Sequence, residues 1–137
     1  MKVYIAGKLG TERERKFLER ISKLCSDLGI KTYLPHRDGG LCKGMKDVKK
    51  IFKKDIIMGM ANCNLIIAVL EGLHVGSGTA WELGYGYAKG IKLIGIKKDE
   101  DPKKALDYLS PILIGSMKIV KTEYQLKKEI KNLMKKN

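Results

Sequence analysis

Glu82 stands directly behind a stretch built to hold an anion. Gly76-Ser77-Gly78-Thr79 is a glycine-rich turn that follows an apolar run, and Ala80-Trp81-Glu82 carries it into a helix-forming segment. Unpaired N–H groups at a helix start and the positive end of the helix dipole point at one spot, so phosphate or a carboxylate would sit there. A carboxylate in the first turn of that helix could act on whatever the turn holds, as a nucleophile or beside a developing positive charge. The plain alternative is a first-turn acid that complements the dipole, an effect of about 0.3–1 kcal/mol. Ser77, Gly78 and Thr79 could likewise only shape and cap the turn. Three further groups could do chemistry. Tyr4 is a site hydroxyl or a core aromatic. Asp55 is a site acid or a solvated partner of Lys53 and Lys54. His36, with Arg37 and Asp38, lies in a polar segment where a histidine could carry a proton.

The elements that must position these groups alternate along the chain. Lys2-Val-Tyr-Ile-Ala6 reads as a first strand, followed by Gly7-Lys8-Leu9-Gly10. Thr11 and Glu14 form a capping box, and Phe17, Leu18, Ile21, Leu24, Cys25 and Leu28 make one helical stripe closed by Gly29. Residues 30–34 read as a second strand stopped by Pro35, and residues 35–44 as a mobile polar loop over a site. A helix is expected from about Asp47 to Ala61, with Val48, Ile51 and Phe52 inward. Asn64–Leu70 is short, β-branched and leucine-rich, so it reads as a buried parallel strand. Thr79–Lys89 follows as a helix, residues 91–96 as a fourth strand, and Lys118–Val120 as a fifth. A polar loop over 99–102 leads into a short helix, and Thr122 with Gln125 caps a last helix carrying Leu126, Ile130 and Leu133.

Strands alternating with helices predict a single α/β domain over 1–137. It is a three-layer open sheet of five mostly parallel strands with helices on both faces. Ligands in such sheets bind beyond the carboxyl ends of the strands, where residues 7–10, 35–44 and 72–79 all fall.

Composition narrows the partners. The 137 residues carry 28 Lys and Arg against 15 Asp and Glu, a formal charge of +13, with 44% hydrophobic and 31% charged residues. Many lysines recur at helical surface spacing without interleaved aromatics, so a solvated face is expected and no specific nucleic-acid partner. The charge would still draw in a phosphorylated substrate. No apolar run reaches the roughly 20 residues of a membrane span, and the N-terminus lacks a signal-peptide core, so the expected compartment is the cytoplasm. Cys25, Cys42 and Cys63 have neither disulfide nor zinc spacing; no metal or cofactor is expected.

Taken together, Val3-Tyr-Ile-Ala-Gly7, Asp55, residues 65–72 and above all Gly78-Thr-Ala-Trp-Glu-Leu-Gly-Tyr85 resemble the nucleoside 2-deoxyribosyltransferase superfamily, which includes nucleoside 5'-monophosphate N-glycosidases. The resemblance implies a flavodoxin- or Rossmann-like sheet and a homo-oligomer, commonly built from dimers, with active sites completed across the interface. It makes Glu82 the nucleophile on the anomeric carbon, Tyr4 the hydroxyl that orients it, and Asp55 the acid that binds sugar hydroxyls or assists proton transfer. Transferases of free nucleosides carry an Asp six residues before the nucleophile, where this chain has Gly76. Monophosphate hydrolases place a phosphate-binding Ser there, and here Ser77 lies one position later. They also use a Ser from the neighbouring subunit, which Leu109-Ser110 fits. Gly7, Lys8, Gly76, Ser77, Gly78, Thr79, Ser110 and His36 are therefore the expected substrate-binding residues. Gly76-Ser-Gly-Thr-Ala-Trp-Glu82 is also similar to the signature of cytokinin-activating phosphoribohydrolases. The expected activity is hydrolysis of the N-glycosidic bond of a nucleoside monophosphate; base exchange by transfer and a non-catalytic nucleotide-binding module are the alternatives.

Overall fold

Strands β1 (Lys2–Ala6), β2 (Lys31–Tyr33), β3 (Leu65–Val69), β4 (Lys92–Ile96) and β5 (Lys118–Val120) pair in the order β2-β1-β3-β4-β5, and every pairing is parallel. This is the expected flavodoxin-like α/β sheet, in a computed structural model that describes residues 1–136. The order reverses between β1 and β3, which opens a crevice beyond their carboxyl ends.

Both faces of the sheet are buried, and the period of two along each strand decides which side chain goes where. Val3, Ile5, Leu65, Ile67, Ile94 and Ile96 pack against α1 (Glu12–Ser26) and α5 (Glu123–Lys136), through Leu18, Ile21 and Cys25 of the first and Leu126 and Ile130 of the second. Tyr4, Ala6, Ile66, Ala68 and Leu93 face the other way, onto Ile56, Met60, Leu83 of α3 (Ser77–Ala88), Ala105 and Leu109. Both expected capping boxes form. Thr11 Oγ1 accepts from the Glu14 amide while Glu14 accepts from the Thr11 amide, and Thr122 and Gln125 repeat the pattern. Among the described residues no helix is long and apolar enough to cross a membrane.

Three segments depart from expectation. Pro35–Gly39, expected as part of a mobile loop, is a wide helical turn with the Gly40 amide on the Pro35 carbonyl at 2.9 Å. Pro35 starts it, and the Asp38 carboxylate holds the Leu34 amide at 2.8 Å, so the polar side chains bond the local backbone. The helix expected over 47–61 is split into a 3₁₀ turn (Met45–Asp47), α2 (Val48–Phe52) and a π turn (Lys53–Gly59). Val48 and Phe52 are not inward: they are 44% and 48% exposed, because the split short helix stands away from the sheet. Beyond the 3₁₀ turn Pro102–Asp107, a further helix, α4 (Pro111–Ser116), starts at Ser110, whose hydroxyl accepts from the Ile112 amide. The Ser-Pro step is its signal, cap then N1 proline.

The π turn packs through Gly59, where an added Cβ would lie 2.7 Å from the Tyr33 ring. Gly59→Ala is expected to cost about 1–3 kcal/mol by overpacking, read as a lower denaturant midpoint at unchanged slope.

Candidate active site

The alternation of β1 points Tyr4 at α3, and its hydroxyl donates to Glu82 Oε1 at 3.1 Å. Glu82 lies in the second turn of α3 and not the first, because the helix begins at Ser77, two residues before the expected start. It is thereby carried past the turn to the middle of the β1 side chains, and its use as a dipole-complementing first-turn acid falls away. On the neighbouring strand Tyr33 pairs in register with Tyr4, and the two rings stack at 5.4 Å and 8°. The Tyr33 hydroxyl lies 2.9 Å from Asp55 Oδ1. Two carboxylates therefore hang from two stacked tyrosines on adjacent strands.

Asp55 is only 8% exposed, so it is no solvated partner of the neighbouring lysines. The π turn carries it inward, a place where such widened turns often mark function. Burial raises its pKa; the Tyr33 hydrogen bond and the Lys54 charge pull the other way, and Asp38 adds to the rise. Burial also pushes Glu82 up to about 7, against the Tyr4 hydrogen bond and with help from the Asp55 charge. Tyr4 itself is raised far above its ordinary range, first by burial and then by the Glu82 charge, so it stays a donor. A group near 7 in a desolvated pocket is poised to act at neutral pH.

The glycine turn lies beside this pair. Gly76 is the N-cap of α3, without a side-chain cap, Ser77 is exposed and Thr79 buried. Gly7, at the end of β1, packs against Leu18 and Val69 so closely that an added Cβ would meet Leu18 at 2.7 Å. Lys8 leaves β1 across the turn: its Cγ lies 3.2 Å from the place of a Cβ on Gly76, and its Nζ 2.8 Å from that on Gly72. Gly72 itself has φ +90°, a conformation that favours glycine. Lys8 makes no ion pair among the described residues, so its cation is available beside the start of α3.

One buried cation underpins the turn. Lys97, 2% exposed, donates to the Leu70 carbonyl at 3.1 Å and the Gly72 carbonyl at 2.9 Å, and pairs with Asp99 at 2.9 Å. Asp99 in turn accepts the Gly72 amide at 2.7 Å. In the sequence Lys97 is one of many lysines; only its place as the last inward position after β4 distinguishes it. Tyr33 and Lys97 are the two residues that sequence reasoning does not single out.

Other expected residues fall elsewhere. His36 turns toward α1 and meets Glu19 Oε1 at 2.9 Å, away from the Glu82 face. Asp38 is bound by Arg37 and by the Leu34 amide, which hold its carboxyl below the usual range. Ser110 is exposed and caps the start of α4, where its hydroxyl accepts from the Ile112 amide. Trp81 points outward at 50% exposure, stacked on Tyr85 and edge-on to Phe52.

Comparison with known proteins agrees with this fold. The family described as nucleoside 2-deoxyribosyltransferase matches residues 3–134. None of the curated proteins searched matches the chain. Among solved structures, a conserved protein from Enterococcus faecalis V583 is 25% identical with a TM-score of 0.70, covering 96% of this chain and 98% of that one. The 2-deoxyribosyltransferase from Bacillus psychrosaccharolyticus is 17% identical with a TM-score of 0.75, over 93% and 90% of the two chains. The CMP N-glycosidase BcmB from Clostridium botulinum is 18% identical with a TM-score of 0.61, over 96% and 99%.

Two outcomes are expected here. Because the folded Glu82 pKa lies above its ordinary 4.5, the folded chain binds more protons than the unfolded one between about 4.5 and 7. Glu82 therefore lowers stability as pH rises through that window, and Glu82→Gln should gain on the wild type from pH 4.5 to pH 7.5, by on the order of 2 kcal/mol in denaturant unfolding. Lys97→Met leaves the buried Leu70 carbonyl, the Gly72 carbonyl and Asp99 without the ammonium they share and should cost about 2–4 kcal/mol in the same measurement.

Proposed function

Since the chain belongs to the nucleoside 2-deoxyribosyltransferase family, a family of enzymes that work on the N-glycosidic bond, we propose that it hydrolyses that bond in nucleoside 5'-monophosphates, ribo or 2'-deoxy, in a homodimer. The observation that carries the phosphate is Lys8, laid across Gly72 and Gly76 beside the open N-terminus of α3. Backbone amides at Ser77, Gly78 and Thr79 and the Lys8 ammonium offer an anion several charge-assisted hydrogen bonds. Gly7 lets β1 approach β3 closely enough to keep Lys8 there. Ser110 of a neighbouring copy would complete the cradle, in keeping with its exposure.

In this reading the ionised Glu82, oriented by Tyr4, attacks C1' as the carbon–nitrogen bond breaks, and stabilises the oxocarbenium-like centre before bonding to it. The base leaves with the bonding pair. Asp55 is the better placed of the acids to protonate it, since His36 faces α1 and Asp38 is held by Arg37. Water then resolves the glycosyl-enzyme, releasing sugar 5-phosphate. Base exchange is the same mechanism with an acceptor base in place of water, so one assay separates them.

Free-base release is to be followed by chromatography from ribo- and deoxyribonucleoside 5'-monophosphates and their unphosphorylated nucleosides, with and without an added acceptor base. Release from monophosphates alone is expected, with kcat/KM down about a thousandfold or more in Glu82→Gln. Release from free nucleosides with incorporation of the acceptor would move the assignment to the transferase, and binding without release to a nucleotide-binding module. Lys8→Met should raise KM for the monophosphate about tenfold. The acid limb of the rate should lie near pH 7, where Glu82 ionises, and shift upward in Tyr4→Phe, which removes the hydrogen bond that favours the ionised form.

A further inference from the structure

Tyr33 offers one hydrogen to two acceptors. Its hydroxyl lies 2.9 Å from Asp55 Oδ1 and 3.0 Å from the Lys54 carbonyl, and a phenol has a single proton but can also accept one. The ring is fixed on both sides, stacked on Tyr4 and packed against Gly59. Asp55 is confined too, since a Cβ on Gly39 would overlap its Oδ1. The heavy atoms are held, and only the proton can turn.

We infer that Tyr33 is a positioning residue that lets Asp55 take up and give away a proton without losing its hydrogen bond. With Asp55 ionised, the phenol donates to the carboxylate. With Asp55 protonated, the acid donates to the phenolic oxygen and the phenol turns its own hydrogen to the Lys54 carbonyl. In both states the buried Asp55 carboxyl keeps a hydrogen-bond partner, whose loss would cost about 1–3 kcal/mol.

The inference rests on the hydrolase reading above, in which Asp55 must be acid and then base. In the first half, the base departs with the C1'–N electron pair and takes the Asp55 proton while Glu82 bonds to C1'. In the second, water bonds to C1', the Glu82 carboxylate is released, and the water proton returns to Asp55. The sum is nucleotide plus water giving base plus sugar phosphate, with both acids restored.

The groups that face Asp55 are Tyr33 on β2, Tyr4 on β1, Asp38 from the 35–39 turn, Lys54 beside it and Glu82 on α3. Arg37 holds the Asp38 carboxyl below its usual range, so the charge that changes beside Asp55 near neutrality is that of Glu82, which burial pushes up to about 7. Tyr33 is itself raised above its ordinary range, by burial first and then by Asp55, and remains a donor.

Tyr33→Phe keeps the ring and removes the hydroxyl. Carbon-detected NMR titration of the Asp55 carboxyl should show its midpoint moved up, because the ionised form loses the stronger, charge-assisted bond. The value of kcat for monophosphate hydrolysis should fall about tenfold with KM little changed, and the same substitution in an Asp55→Asn background should add almost nothing. A fluorotyrosine placed at position 33, a stronger donor of the same shape, should move the midpoint down, and it serves if the Phe variant does not fold. An unmoved Asp55 titration in the folded variants, or an undiminished kcat effect in Asp55→Asn, would overturn the assignment. If the wild type releases no base from any nucleotide, the hydrolase reading is lost, and the titration still decides Tyr33.

Discussion

The site depends on the parallel pairing of β1 with β3 at the point where the strand order reverses, because that pairing fixes both the crevice and the side chains that face it. Both strands are covered on both faces, so slipping either by one residue would exchange the two sets of side chains. Val3 and Ile5 would then face α3, and Tyr4 would be driven into the layer of α1 and α5. The same pairing aligns Gly7 and Lys8, which continue β1, with Leu70 to Gly76, which continue β3. Hydrophobic burial on one side of the sheet thus holds polar chemistry in place on the other.

The polar chemistry opposes the packing that positions it. Two carboxylates lie close to one another with little water, and burial raises both. Tyrosine hydroxyls replace the lost water: each donates to one acid, and their stacked rings keep the two donors apart. The arrangement leaves Glu82 divided between its charged and neutral forms near neutral pH. That is costly for stability and suits the proposed mechanism, in which Glu82 attacks as an anion.

Much of this was legible in the chain. Strand positions, helix starts and the glycine turn follow from apolar runs, capping boxes and glycine punctuation, which are local signals. The link between Tyr4 and Glu82 was accessible only through family resemblance, since 78 residues separate them and no local rule joins them. What stayed hidden depends on contacts between distant segments. Asp55 is inward only because the helix around it widens at 53–59, and nothing in Lys53-Lys54-Asp55 announces that. Phe52 was expected inside, on one helical side with Val48 and Ile51, yet it lies outside against Trp81, because the helix is too short to lie along the sheet. His36 was misplaced by its neighbours: the turn that carries it is held by Asp38, and the ring is left to face α1.

The signature turn is not a self-contained unit. Lys97 and Asp99, from the end of β4, grip the carbonyls and amide of Leu70 and Gly72, while Lys8 from the end of β1 lies over them. The contiguous stretch from Leu70 to Glu82, grafted alone onto another parallel sheet, would carry the residues without their shape. The portable module is discontinuous, three strand exits held in one register, and its ancestry is better traced through those exits together than through the linear motif.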